Sequence, residues 1–174
     1  MRYIAHKSED GREQTVLEHL EETAKQAADF AVPDFQPIAE CLGRYHDIGK
    51  YSAEFQKRIS GGGNKVEHSL AGAYELERLV KQKGKGVFPE CLLEYCIAGH
   101  HSGLPDGGTK TDRADEPTLQ GRLNRTPCDF AAYKEEMSVE LPDMSAVSEQ
   151  LTPAVTEMNA LSCLLFSPGM LFHV

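Results

Sequence analysis

His19, His46, Asp47, His68, His100 and His101 are the residues of this 174-residue chain whose types and settings could do chemistry together. The central pair lies in Tyr45-His46-Asp47-Ile48-Gly49-Lys50, an apolar segment in which an imidazole and a carboxylate are both costly to bury. A metal ion is a partner strong enough to justify them. Imidazole nitrogen with carboxylate oxygen suits Zn, Mn, Fe, Co or Ni, and the second carboxylate oxygen can bridge to another ion. Taken singly, each histidine has an ordinary structural reading. Together, five imidazoles and a carboxylate from four helical contexts are enough for a two-metal centre that activates water and clamps a phosphoryl group. Lys50 could stabilise developing negative charge beside such a site, and equally suits a solvated helix end.

The elements that must position these groups read as helices. Val16, Leu20, Thr23, Ala24, Ala27 and Ala31 recur at spacings of three and four, which predicts an amphipathic helix over about 13–31 with His19 at the margin of its buried stripe. Pro33 stops it, and Pro37 suits the first position of a second helix that carries Ile38, Leu42, Tyr45 and Gly49 on one face. On that helix Asp47 falls about 100° round from His46. A short helix over 52–59 precedes Gly61-Gly62-Gly63-Asn64, a connection without phosphate-cradle spacing. A third long helix over about 66–83 places His68 in its first turn, and a fourth opening at Pro89 leads to Gly99-His100-His101-Ser102-Gly103. From about 102 to 128 the chain is a Gly-, Pro-, Asp- and Thr-rich loop with a short helix near 117–124 that presents Arg122 and Arg125. Helices over 129–137 and 152–166 complete an all-α class: an irregular helical bundle, one domain over 1–174, with the metal site at one end. No stretch shows strand alternation.

Composition narrows the function classes. A net charge of −9 argues against a broad basic face for nucleic acid, leaving local groups: Lys110, Arg113, Arg122, Arg125 and the Lys81, Lys83, Lys85 run. The first ten residues lack the apolar core of a secretion signal, and the apolar C-terminal stretch is broken at Ser167-Pro168-Gly169, so a soluble, cytoplasmic protein without membrane contact is expected. Cys41, Cys91, Cys96, Cys128 and Cys163 form no Cys-x-x-Cys pair and fit a reduced compartment.

Tyr3-Ile4-Ala5-His6, the helix with His19, His46-Asp47-Ile48-Gly49-Lys50, Val66-Glu67-His68-Ser69 and Ala98-Gly99-His100-His101-Ser102-Gly103-Leu104-Pro105-Asp106-Gly107 resemble the HD superfamily of metal-dependent phosphohydrolases. Within it they resemble the HD nuclease domain of the type I CRISPR interference helicase-nuclease, most specifically through the double-histidine, glycine and proline stretch; the first 125 residues or so match well. The resemblance implies an HD-type helical bundle and an antiviral-defence nuclease that hydrolyses single-stranded DNA with transition metals. It also implies partners: a helicase, expected here as a separate or removed chain, and the guide-RNA surveillance complex that displaces the strand. Carried over by position, His19, His46 and Asp47 hold one ion, Asp47, His68, His100 and His101 the other, Asp47 bridges, and Lys50 sits by the scissile phosphate. The chain departs where relatives place an aspartate in the first metal site: Ser162-Cys163-Leu164-Leu165 is followed by Phe166-Ser167-Pro168, as in a fragment or a diverged tail. Unequal ion occupancy and low activity are expected from that loss. The rival readings are an HD hydrolase of small nucleotides and a docking module that retains a structural metal.

Overall fold

The computed structural model describes residues 2–83, 91–138, 140–145, 148 and 149. It begins with a feature the sequence reading does not contain, an antiparallel hairpin of β1 (Ile4–Lys7) and β2 (Glu13–Thr15) in which Ile4 pairs with Thr15 and Lys7 with Glu13. Strands of four and three residues are too short for alternation to register. Long-range hydrogen bonds help to hold the hairpin: Gln56 accepts from the Ile4 amide at 2.9 Å and donates to the Ile4 carbonyl at 3.0 Å.

Thr15 ends the hairpin and caps α1 (Val16–Phe30), its hydroxyl accepting from the Glu18 amide at 3.2 Å while the Glu18 carboxylate accepts from the Thr15 amide at 2.8 Å. This reciprocal box fixes the helix start and the exit angle of the hairpin together. Val16, Leu20 and Ala24 bury one stripe of α1 against α2 (Gln36–Tyr45), and the two backbones meet so closely that a Cβ on Gly43 would lie 2.5 Å from Ala24 Cα. The second helix is shorter than its periodicity predicts. His46 keeps helical angles, Asp47 leaves them at φ −124° and ψ 22°, and a 3-10 turn over Ile48–Tyr51 follows.

After the turn come α3 (Ala53–Ile59), capped by Ser52, and α4 (Leu70–Gln82), which buries Leu70, Ala73, Leu76 and Val80. The latter begins four residues later than predicted, so His68 stands in the approach to the helix, not in its first turn. The remaining helices are α5 (Cys91–Gly99), α6 (Leu119–Leu123) and α7 (Tyr133–Glu136). Thr118 caps α6, while the helix predicted over 129–137 contracts to the single turn of α7. Leu20, Leu42, Tyr45, Leu76, Leu93 and Ile97 are fully buried at the centre of the resulting mostly helical fold. Among the described residues no helix is long and apolar enough to cross a membrane, and Cys41, Cys96 and Cys128 are free thiols. The helix predicted over 152–166, Cys163, Lys85 and the segment without the expected aspartate lie outside the described residues.

Candidate metal centre

The break at Asp47 is what assembles the site. Had α2 continued, consecutive side chains would diverge by about 100°; instead Asp47 turns inward, 2% exposed, and its two oxygens face two different sets of groups. On one side Oδ2 lies 3.1 Å from His19 Nε2 on α1 and 3.3 Å from His46 Nε2, with those two nitrogens 3.1 Å apart. On the other, Oδ1 lies 3.3 Å from His100 Nε2, 3.5 Å from His68 Nε2 and 3.9 Å from His101 Nε2. His68 and His101 approach to 3.1 Å between their Nε2 atoms. All six residues singled out from the sequence therefore meet around one carboxylate. Gly49 makes this possible, because a Cβ there would lie 2.2 Å from the His68 carbonyl oxygen; only glycine lets the His68 segment lie against the turn after Asp47.

The outer nitrogens decide what the inner ones present. His46 Nδ1 lies 2.7 Å from the Gly43 carbonyl, His100 Nδ1 2.7 Å from the Ile97 carbonyl and His68 Nδ1 3.2 Å from the Val66 carbonyl. A carbonyl only accepts, so each Nδ1 carries the proton and each Nε2 points a bare lone pair at the carboxylate. Lone pairs facing lone pairs at such distances repel unless a cation lies between them. Asp47 Oδ1 and His100 Nε2 show the deficit most plainly, being buried polar atoms without a hydrogen-bond partner among the described residues. Two groups, His19-His46-Asp47 and Asp47-His100-His101, each bring three ligand atoms close enough to share one ion. The donor set fits a divalent transition metal.

The electrostatics agree. The Lys50 ammonium, 2.8 Å from Oδ2, pairs with Asp47 as an ionised carboxylate. Burial lowers the pKa of His19 and of His68, and burial with the neighbouring His100 lowers that of His101. Neutral imidazoles around an ionised carboxylate are the protonation states that a metal requires of its ligands.

A comparison with known families decides the kinship. A family model described as Cas3, HD domain, matches residues 12–167. The chain belongs to that family. No curated protein matches it. Cas3 HD membership brings metal-dependent phosphohydrolase and nuclease chemistry in a CRISPR setting, and HD domains bind divalent metals.

Within this Cas3 HD domain Lys50 is not the solvated helix-end lysine that its position also allowed. It is 4% exposed, and its Nζ lies 2.8 Å from Asp47 Oδ2 and 2.9 Å from Nε2 of His6. His6 is the residue that sequence reasoning missed, since its place beside the site depends on a hairpin whose strands carry no pattern. Its ring stands edge-on to His19 at 4.7 Å between centroids, and burial followed by the Lys50 charge lowers its pKa. The signal available was the Tyr3-Ile4-Ala5-His6 stretch, which carries part of the family resemblance but assigns His6 no role.

Three of the basic groups named from the sequence are engaged within the Cas3 HD fold. Arg122 is buried, 3.4 Å from Ser102 Oγ and 4.0 Å from Glu67, so it anchors the segment after His101 instead of being presented; Arg113 pairs with Asp115 and Glu116, and Lys81 with Glu77. The glycine-rich loop is likewise stapled, with the amides of Leu119 and Gln120 donating to the carbonyls of Asp106 and Gly107 at 2.7 and 3.2 Å. Cations gather elsewhere. Lys57, Lys65 and Arg125, with Tyr74 and Phe130, line a cavity of about 510 Å³ that also touches Gly49 and Glu67, neighbours of Asp47 and His68 in the chain.

Proposed function

We propose that this Cas3 HD domain, one unit over 1–174, is a transition-metal phosphodiesterase that cuts single-stranded DNA, fed by a helicase acting on the strand displaced by a guide-RNA surveillance complex. His19, His46 and Asp47 Oδ2 hold one ion; His68, His100, His101 and Asp47 Oδ1 hold the other. The observation that carries the reading is the pair of buried, unpartnered ligand atoms, Asp47 Oδ1 and His100 Nε2, facing each other at 3.3 Å.

Bound divalent ions supply Lewis acidity to water and to the phosphoryl oxygens. The chain's own residues do the rest. The backbone carbonyls of Gly43, Val66 and Ile97 keep three imidazoles in the ligating tautomer, Asp47 stays ionised between the two groups, and the Lys50 ammonium offers protons to a phosphoryl oxygen as its charge grows. A strand, not a free nucleotide, is the substrate we favour: His101 is half exposed, and the cavity that touches Gly49 and Glu67 has room and cations for one flanking nucleotide.

The two ion positions are unequal. Lys50 already holds Asp47 Oδ2, whereas Oδ1 has no hydrogen-bond partner among the described residues, and the aspartate expected after Leu165 is absent. Losing one anionic ligand weakens a site by at least the 10- to 100-fold that outer-shell changes cost, roughly 1.4 to 2.7 kcal/mol. Calorimetric titration with Mn or Co plus elemental analysis tests this: the first equivalent should bind at least tenfold more tightly than the second. Turnover should be low, should appear on labelled single-stranded DNA, and should vanish in Asp47→Ala. Turnover confined to mononucleotides would make the chain a nucleotide hydrolase, and no metal-dependent turnover at all would leave a docking role.

A further inference from the structure

His6 lies outside the span matched by the family model and carries no role in the reading above, yet it is placed with precision. In β1 Ala5 is buried against the core, and His6, just past an irregularity in the strand pairing, brings its Nε2 to the Lys50 ammonium. Lysine has three donors and no acceptor, so the 2.9 Å contact between Lys50 Nζ and His6 Nε2 is a hydrogen bond only if Nε2 accepts. His6 is therefore a neutral imidazole with its proton on Nδ1. Among the described residues the other polar partner of the ammonium is Asp47 Oδ2, and Phe55 lies to the side, its ring centroid 5.8 Å from Nζ.

Asp47 Oδ2 is also the oxygen that faces His19 and His46. A cation held there takes that oxygen's lone pairs and repels the lysine, so a buried ammonium with no second acceptor would leave the site. We infer that His6 is a positioning residue, the second acceptor that keeps the Lys50 ammonium beside Asp47 when Oδ2 is committed to an ion. This rests on the proposed phosphodiesterase reading only for what Lys50 then does, which is to meet a phosphoryl oxygen.

Two measurements test it on the full chain. Nitrogen-15 NMR of histidine-labelled protein loaded with Zn should show His6, assigned by loss of its signals in His6→Gln, as the Nδ1–H tautomer with an unprotonated Nε2, and Lys50→Met should abolish that preference. An Nε2–H tautomer or an imidazolium in the Zn-loaded protein overturns the inference. In the presence of Mn, His6→Ala should lower kcat on single-stranded DNA about 10- to 100-fold, the range for outer-shell changes, with KM and metal stoichiometry within twofold. His6→Gln, whose carbonyl oxygen can accept, should recover most of the loss, and His6→Ala/Lys50→Ala should be no slower than Lys50→Ala. Additive losses, or metal lost in His6→Ala, also refute it. If the wild-type chain cuts no DNA, the phosphodiesterase reading fails, while the tautomer and its response to Lys50→Met still decide the role of His6.

Discussion

Gly49→Ala is the sharpest test of how the centre is built. The new Cβ would lie 2.2 Å from the His68 carbonyl oxygen, 2.7 Å from its Cα and 2.8 Å from its carbonyl carbon, all of them backbone atoms that no rotamer change can move. Ordinary contact needs about 3.5 Å, so the His68 segment must retreat by roughly 1 Å. Overpacking of this kind costs about 1–3 kcal/mol, offset by the few tenths to 1 kcal/mol that alanine gains by restricting the unfolded chain. A net loss of about 1–2 kcal/mol lowers Tm by roughly 2–8 °C in a domain of this size. The larger effect falls on the ligands, because coordination distances tolerate only about 0.2 Å. The side of Asp47 that faces His68, His100 and His101 should lose at least tenfold in Mn affinity, while the side facing His19 and His46 changes little. Differential scanning calorimetry and metal titration read the two effects separately. Unchanged Tm together with unchanged affinity for both equivalents would refute the close approach of these two segments and the placement of His68 with it.

Other predictions concern proton and metal chemistry. Glu94 is buried in α5, and burial, with Glu77 nearby, pushes its pKa from 4.5 to about 7. A carboxyl raised on folding leaves stability intact below about pH 4.5 and removes it progressively as pH rises to about 7. Glu94→Gln should therefore match wild type near pH 4.5 in urea unfolding and exceed it at pH 8 by on the order of 2 kcal/mol; equal stability at pH 8 would contradict the burial. Mn, Co, Ni or Fe should support DNA cleavage where Mg alone does not, since five imidazoles suit borderline metals and not a hard oxygen-seeking one. Full activity with Mg and none with Mn, measured on labelled single strands, would contradict the ligand set.

The legible parts of the molecule were those in which local signals agreed with the tertiary ones. The first helix announced itself through its 3.6-residue period, and α6 as a short interruption of the Gly-, Pro-, Asp- and Thr-rich loop. Pattern failed where packing overrode it. Asp47 follows an apolar helical stripe that predicts continuation to Gly49, but only by leaving the helix can its two oxygens address opposite groups of imidazoles. Val66 to Ser69 fits the period of α4, yet the helix begins only at Leu70, after the His68 backbone has packed on Gly49. The candidate ligands were legible because histidines in apolar and helix-end settings need a reason. His6 was not, because its reason lies in Lys50, which is distant in sequence.

The bonds from His46 Nδ1 to the Gly43 carbonyl and from His100 Nδ1 to the Ile97 carbonyl have a meaning for the helices as well. Each acceptor is a carbonyl of a last helical turn: among the described residues that of Gly43 receives no amide, and that of Ile97 receives only the His100 amide, at 3.5 Å. The imidazole serves as a C-terminal cap, so the end of the helix and the aim of the side chain are a single hydrogen bond. Fraying of either helix by one turn would release the ring and with it the choice of nitrogen; extension by one residue would claim the carbonyl and turn the ring's protonated edge inward. At these two ends secondary structure is held to single-residue accuracy by a group whose other edge faces Asp47, and substitutions that lengthen or loosen α2 or α5 should act on the centre without touching it.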